Sequence, residues 1–236
     1  MSPAGAEIEV LADPPALADR VADWLVTLAR RSRKRFSVAL SGGSTPRLLY
    51  QELARRQDFP WRRAHWFWGD ERFVPAGDPM SNYRMAFHTM LGPACVPPSR
   101  IHPFRTQDVT PAESAAEYEK ELLAYYGSAA LKPGRPLFDV TLLGLGVDGH
   151  TASLFPGSRA LDERGCLAVA VTGPNPRRLT LTYSALESSA HVAFLVTGVE
   201  KRKILRRLWQ GDRELPAARL RPEGKLRFFV DAAAAG

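Results

Sequence analysis

Asp148 and His150 lie two residues apart in Gly144-Leu145-Gly146-Val147-Asp148-Gly149-His150, an acid and an imidazole framed by glycines. An imidazole ionises with an ordinary pKa of about 6.5, which suits a general base near neutral pH. A carboxylate two residues away can orient that ring or contact a substrate. Glycines let the backbone turn sharply and let a ligand approach it closely. The other histidines, His65, His88, His102 and His191, lack such surroundings and are read as structural.

Three further clusters carry charge or free backbone donors. Ser41-Gly42-Gly43-Ser44-Thr45-Pro46 places two glycines and two hydroxyls where a helix begins. Uncapped N–H groups and the positive helix end there can cradle a phosphate, whereas the bland alternative is a helix capped by Ser44 or Thr45. Gly69-Asp70-Glu71-Arg72 supplies two carboxylates and a guanidinium, for a substrate hydroxyl and an oxyanion respectively, or for a surface ion pair of little worth. Arg177-Arg178 and Lys201 add cations beside strand or turn boundaries.

Strands ending in these turns must position them. Phe36 to Leu40, His65 to Trp68 and Phe138 to Leu145 are apolar runs of the kind buried on both faces. Further strands are expected at Ile8 to Leu11, Leu167 to Val171, Leu179 to Thr182, Val192 to Val196 and Phe228 to Val230. Helical patterns lie between them: after Asp13-Pro14, with Leu17, Val21, Trp24, Leu25 and Leu28 as a stripe, after Pro46, over Glu113 to Tyr126, and over Glu200 to Trp209. The alternation predicts an open, largely parallel sheet with helices on both faces, whose ligand site lies beyond the strand carboxyl ends.

Residues 144 to 149 also satisfy G-x-G-x-x-G. A dinucleotide site needs a long helix next and an acidic residue about 20 positions on. Pro156 and Gly157 interrupt the chain instead, so nicotinamide or flavin binding ranks low. No G-x-S-x-G or H-E-x-x-H motif is present, and no metal-ligand spacing.

With 236 residues, 45% of them hydrophobic and 24% charged, the chain fits one α/β domain spanning 1–236. Glu7 and Glu9 stand where a signal peptide would be basic then apolar, and no apolar run nears the roughly 18 residues needed to cross a bilayer. A cytoplasmic location without membrane association is expected. Cys95 and Cys166 are read as reduced, core-type thiols. The net charge of +7 suits an anionic small substrate or nucleic acid. The basic clusters Arg30 to Arg35 and Lys201 to Arg207 fall on helices without interleaved aromatics, which disfavours nucleic acid.

The ordered set Ser41-Gly42-Gly43-Ser44-Thr45-Pro46, Gly69-Asp70-Glu71-Arg72 with Ser81-Asn82-Tyr83, Gly144 to Gly157, Arg178-Leu179-Thr180-Leu181-Thr182 and Val196-Thr197-Gly198 with Lys201 closely resembles the 6-phosphogluconolactonase family. The wider group includes glucosamine-6-phosphate isomerase/deaminase and shares a Rossmann-like α/β/α sandwich. Deaminases usually read Gly-Asp-Glu-Tyr and follow Asp-Gly-His with Ile-Ala-Phe-Asn-Glu-Pro. Here Arg72 replaces that tyrosine and Thr151 to Gly157 replaces the glutamate-bearing segment, both in the lactonase manner.

The resemblance implies hydrolysis of 6-phospho-D-glucono-1,5-lactone to 6-phospho-D-gluconate in the oxidative pentose phosphate pathway, without a cofactor or metal. His150 would activate water, with Asp148, Asp70 and Arg72 beside it. Gly42, Gly43, Ser44, Thr45 and Lys201 would hold the phosphate together with an arginine, Arg177 or Arg178, of which Arg178 is better placed relative to its strand. The competing readings are amino-sugar phosphate isomerisation and a sugar-phosphate or nucleic-acid binder on the same fold.

Overall fold

The computed structural model describes residues 5–32, 35–172 and 175–236. Arg33 and Lys34 of the first basic cluster, and Gly173 and Pro174 ahead of Arg178, lie outside them.

Among the described residues ten strands form in chain order: β1 (Glu7–Leu11), β2 (Phe36–Leu40), β3 (Ala64–Trp68), β4 (Asp70–Arg72), β5 (Ile101–His102), β6 (Phe138–Leu143), β7 (Ala168–Val171), β8 (Arg178–Leu181), β9 (Ser189–Val196) and β10 (Lys225–Asp231). Seven make a sheet in the order β1-β10-β9-β6-β2-β3-β5, parallel at every junction. Every residue of β2 and β3 is buried, which requires cover on both faces. The chain runs from β2 outward to β3 and β5, then returns at β6 and builds toward β9 and β10. The junction of β2 with β6 is therefore the switch point, where such sheets open a crevice.

Two expectations change. β7 and β8 do not join the large sheet but form a second, antiparallel one with β4, in the order β4-β8-β7. Asp70, Glu71 and Arg72, expected in a turn, are thus a three-residue strand. The central strand also ends at Leu143, freeing Gly144 and Leu145 for the turn.

Helices follow local chemistry. α1 (Pro14–Arg31) starts with Asp13 accepting from the Ala16 N–H at 2.8 Å and buries Leu17, Val21, Trp24 and Leu25. α2 (Ser44–Ala54) starts at Gly43, and α3 (Asn82–Ala86) at Ser81. α4 (Pro111–Tyr126) carries a Thr110–Glu113 capping box and stops at left-handed Gly127. α5 (Tyr183–Glu187) is a single short helix, and α6 (Arg202–Trp209) follows a 3-10 turn at Val199–Lys201, so the expected helix from Glu200 is split. Cys95 is exposed and Cys166 half-buried, both free, so neither is a core thiol. Among the described residues no helix is long and apolar enough to cross a membrane.

Candidate active site

Beyond the carboxyl ends of β9, β6, β2 and β3, four adjacent strands, lies a cleft of about 520 Å³. Its lining includes Gly42, Gly43, Ser44, Thr45, Asp70, Arg72, His150, Arg178 and Lys201, every anticipated site residue except Asp148.

His150 owes its place to a turn that only glycines allow. Its carbonyl accepts from the Gly146 N–H at 2.9 Å, folding residues 146 to 150 back on themselves. A Cβ on Gly146 would lie 2.1 Å from His150 Nδ1 and 2.6 Å from Asp148 Oδ1, so the bare backbone makes room for the pair. Asp148 Oδ1 meets His150 Nδ1 at 2.6 Å and also accepts from the His150 backbone N–H at 3.1 Å. Burial opposes ionisation of Asp148, but these contacts outweigh it and hold the carboxyl below its ordinary value. An ionised Asp148 requires the proton on Nδ1, which leaves His150 Nε2 as the basic nitrogen. Asp148 therefore orients the ring from behind. Phe155 packs beside the imidazole, ring centroids 4.7 Å apart.

The glycine-rich loop ends in Gly43, φ +107°, which starts α2 without any side-chain cap. Ser44 and Thr45 do not cap; Thr45 Oγ1 instead pairs with Thr197 Oγ1 of the β9 loop at 2.6 Å. The first-turn N–H groups of α2 thus remain open to an anion. Upstream, the buried Tyr50 hydroxyl accepts from the Ser41 N–H at 3.0 Å and donates to the Ser41 carbonyl at 2.7 Å. Tyr118 on α4 does the same to Trp68, accepting at 2.8 Å and donating at 3.3 Å. The residues from which both loops spring are thereby pinned by buried phenols.

Two guanidiniums form another wall. Arg72 pairs in register with Arg178 across β4 and β8, and the Nε of each is buried without a hydrogen-bond partner among the described residues. Burial, and then the charge of Arg72, lowers the Arg178 pKa against the opposing pull of Asp70 and Glu71. Arg177 is exposed and not part of the cleft lining, whereas Arg178 is. Asp70, 7% exposed, accepts from Ser153 Oγ at 2.7 Å. Its neighbour Glu71 forms no surface ion pair. It is buried and receives the N–H groups of Arg72, Asn82 and Tyr83, each at 2.7 Å, and the Ser81 hydroxyl at 3.1 Å. Burial pushes its carboxyl up to about 7 despite those donors.

Lys201 reaches the cleft from the turn at the β9 edge and makes no ion pair among the described residues. Gly144 to Gly149 opens into turns rather than a long helix. None of His65, His88, His102 and His191 lines the cleft. His65 and His102 instead join Arg100 to Glu121 in a chain of side chains elsewhere. Among the described residues no group of three His, Cys, Asp or Glu is placed to hold a metal ion. Asn82, Ser153 and Thr197 went unassigned from sequence: Asn82 and Thr197 line the cleft, and Ser153 holds Asp70.

The crevice at the switch point of a parallel α/β sheet, lined by a helix N-terminus without a side-chain cap, by Arg72, Arg178 and Lys201 and by an imidazole held by Asp148, has the shape and charge of a small-anion site. Residues 12–228 match the family described as glucosamine-6-phosphate isomerases/6-phosphogluconolactonase, and the chain belongs to that family. It is 41% identical to the 6-phosphogluconolactonase of Nostoc sp., over 96% of each chain. With that of Homo sapiens it shares 36% identity over 93% of this chain and 87% of the other. The solved 6-phosphogluconolactonase from Trypanosoma cruzi superimposes with a TM-score of 0.85 and 30% identity, covering 100% of this chain and 97% of that one.

Proposed function

We propose that the chain hydrolyses 6-phospho-D-glucono-1,5-lactone to 6-phospho-D-gluconate, with His150 as general base. The observation that carries this reading is the Asp148–His150 contact of 2.6 Å in a cleft that also holds the anion cradle.

The phosphate sits on the N–H groups at the start of α2, with Thr45, Arg178 and Lys201 supplying hydrogen bonds and charge. That anchorage fixes the ring relative to His150 and converts a bimolecular attack into a positioned one. His150 Nε2 takes a proton from water as the water oxygen bonds to C1. Arg72 meets the negative oxygen that develops on the former carbonyl. When the tetrahedral intermediate collapses, the C1–ring oxygen bond breaks and the Nε2 proton passes to the departing oxygen. Water is consumed and the chain is restored. A lactone is an activated ester, so positioning and general base catalysis suffice.

The test is a time course with freshly prepared lactone, corrected for spontaneous opening, beside His150→Ala. Turnover in the variant should fall about 10²- to 10⁴-fold with little change in KM. Retained turnover would remove His150 from the mechanism, and ammonia release from glucosamine 6-phosphate would favour isomerisation.

A further inference from the structure

Asn82 is 2% exposed, yet it borders the cleft. Its Oδ1 accepts from Arg72 Nη1 at 2.9 Å, and its Nδ2 donates to the Asp70 carbonyl at 2.9 Å, with the Asp70 carboxylate at 3.5 Å. An acceptor spent on a guanidinium and a donor spent on a carbonyl leave the amide one orientation. Its own backbone N–H is held by Glu71 at 2.7 Å. The phosphate loop packs against the same group: a Cβ on Gly42 would lie 2.0 Å from Asn82 Oδ1. One side chain thus joins β4, α3 and the glycine-rich loop.

The consequence falls on Arg72. Its Nη1 is taken up twice, by Asn82 and by the Met80 carbonyl at 2.8 Å. Its Nε is buried without a partner, and Nη2 makes no hydrogen bond among the described residues. With Nη1 occupied and Nε buried, Nη2 is the guanidinium nitrogen left with N–H groups for an oxyanion. Arg178 stands opposite with like charge, so the two guanidiniums repel each other. We infer that Asn82 is a positioning residue: by occupying Nη1 it fixes the guanidinium so that Nη2 of Arg72 stays free for the reacting oxygen of the substrate. Asn82 acts through Arg72 and touches no reacting atom itself. The inference rests on the lactone-hydrolase reading above.

A double-mutant cycle tests it. Asn82→Ala should lower kcat/KM for the phosphorylated lactone about 10- to 100-fold, the scale of a hydrogen bond to a charged group. In an Arg72→Ala background the same substitution should cost less than about twofold, because its target is gone. In a Lys201→Ala background, whose side chain Asn82 does not bond, it should cost its full factor. A merely structural role would multiply equally in both backgrounds, and that result overturns the inference, as does an undiminished kcat/KM in Asn82→Ala. If thermal melting shows Asn82→Ala unfolded, Asn82→Ser, too short to reach Arg72 but still polar, takes its place with the same expectations. Wild-type turnover reports separately on the hydrolase reading, whereas the ratio between backgrounds reports on Asn82 alone.

Discussion

Arg72 and Arg178 stand directly opposite each other in the antiparallel pairing of β4 with β8, two like charges on one wall of the cleft. Such a cross-strand pair is unfavourable in the free protein, and a phosphate held by Arg178, Lys201 and the start of α2 offsets part of that cost. Inorganic phosphate should therefore raise the melting temperature. At a hundredfold excess over its dissociation constant the gain is about 2.7 kcal/mol, several degrees for a chain of this size. Arg178→Gln should shrink the shift substantially while leaving the fold intact. Thermal melts with and without phosphate read this, and an equal shift in the variant would place the anion elsewhere.

Gly146→Ala should disable the site with little loss of stability. The added methyl would occupy the space of the Asp148–His150 contact, 2.1 Å from one partner and 2.6 Å from the other, at the exposed rim rather than in the core. The ring must swing away to accommodate it. kcat should fall about 10²-fold or more, close to the loss in Asp148→Asn, with the KM for the phosphorylated lactone nearly unchanged. Steady-state kinetics of the two variants side by side check it. A KM effect without a kcat effect would show that the turn serves binding instead.

The strands of the large sheet were legible because burial on both faces leaves uninterrupted apolar runs such as Phe36 to Leu40. The small sheet was not. Asp70-Glu71-Arg72 is too short and too charged to read as a strand, and its pairing with Thr180, Leu179 and Arg178 spans more than a hundred positions of chain, which no local pattern records. The two-residue β5 escaped for the same reason of length. In the site, His150 and the loop from Gly42 to Thr45 announced themselves because glycines cluster where a strand must end. Asn82 and Thr197 stand in motifs that carry the resemblance, yet their roles, like that of Tyr50, follow only from partners on other elements. Asp148 was visible as a neighbour of His150, but that it faces the ring and not the cleft depends on the path of the turn.

Tyr50→Phe should separate binding from chemistry. The lost hydroxyl leaves the Ser41 N–H and carbonyl unpaired in a buried place, a cost of about 1–3 kcal/mol in stability. Because Ser41 leads into Gly42 to Thr45, the KM for the phosphorylated lactone should rise, while hydrolysis of unphosphorylated gluconolactone changes little. Tyr118→Phe frees Trp68, which leads into Asp70 and Arg72, so it should lower kcat instead. Matching losses on both substrates in both variants would mean that the phenols serve stability alone.

Glu71 should set part of the pH dependence of stability. Its carboxyl ionises near 4.5 in the ordinary case and is pushed up to about 7 by burial in the folded chain. Between those values the folded state binds more protons than the unfolded one, so stability falls as pH rises through that window, by at most about 1.4 kcal/mol per pH unit. Urea unfolding at intervals across that range should show the decline, and Glu71→Gln should flatten it. The variant should also be less stable throughout. A carboxyl hydroxyl can still accept from the Tyr83 N–H and the Ser81 hydroxyl at Oε2, whereas an amide nitrogen in that place meets them donor to donor. A slope that persists unchanged in Glu71→Gln would assign the titration to another group.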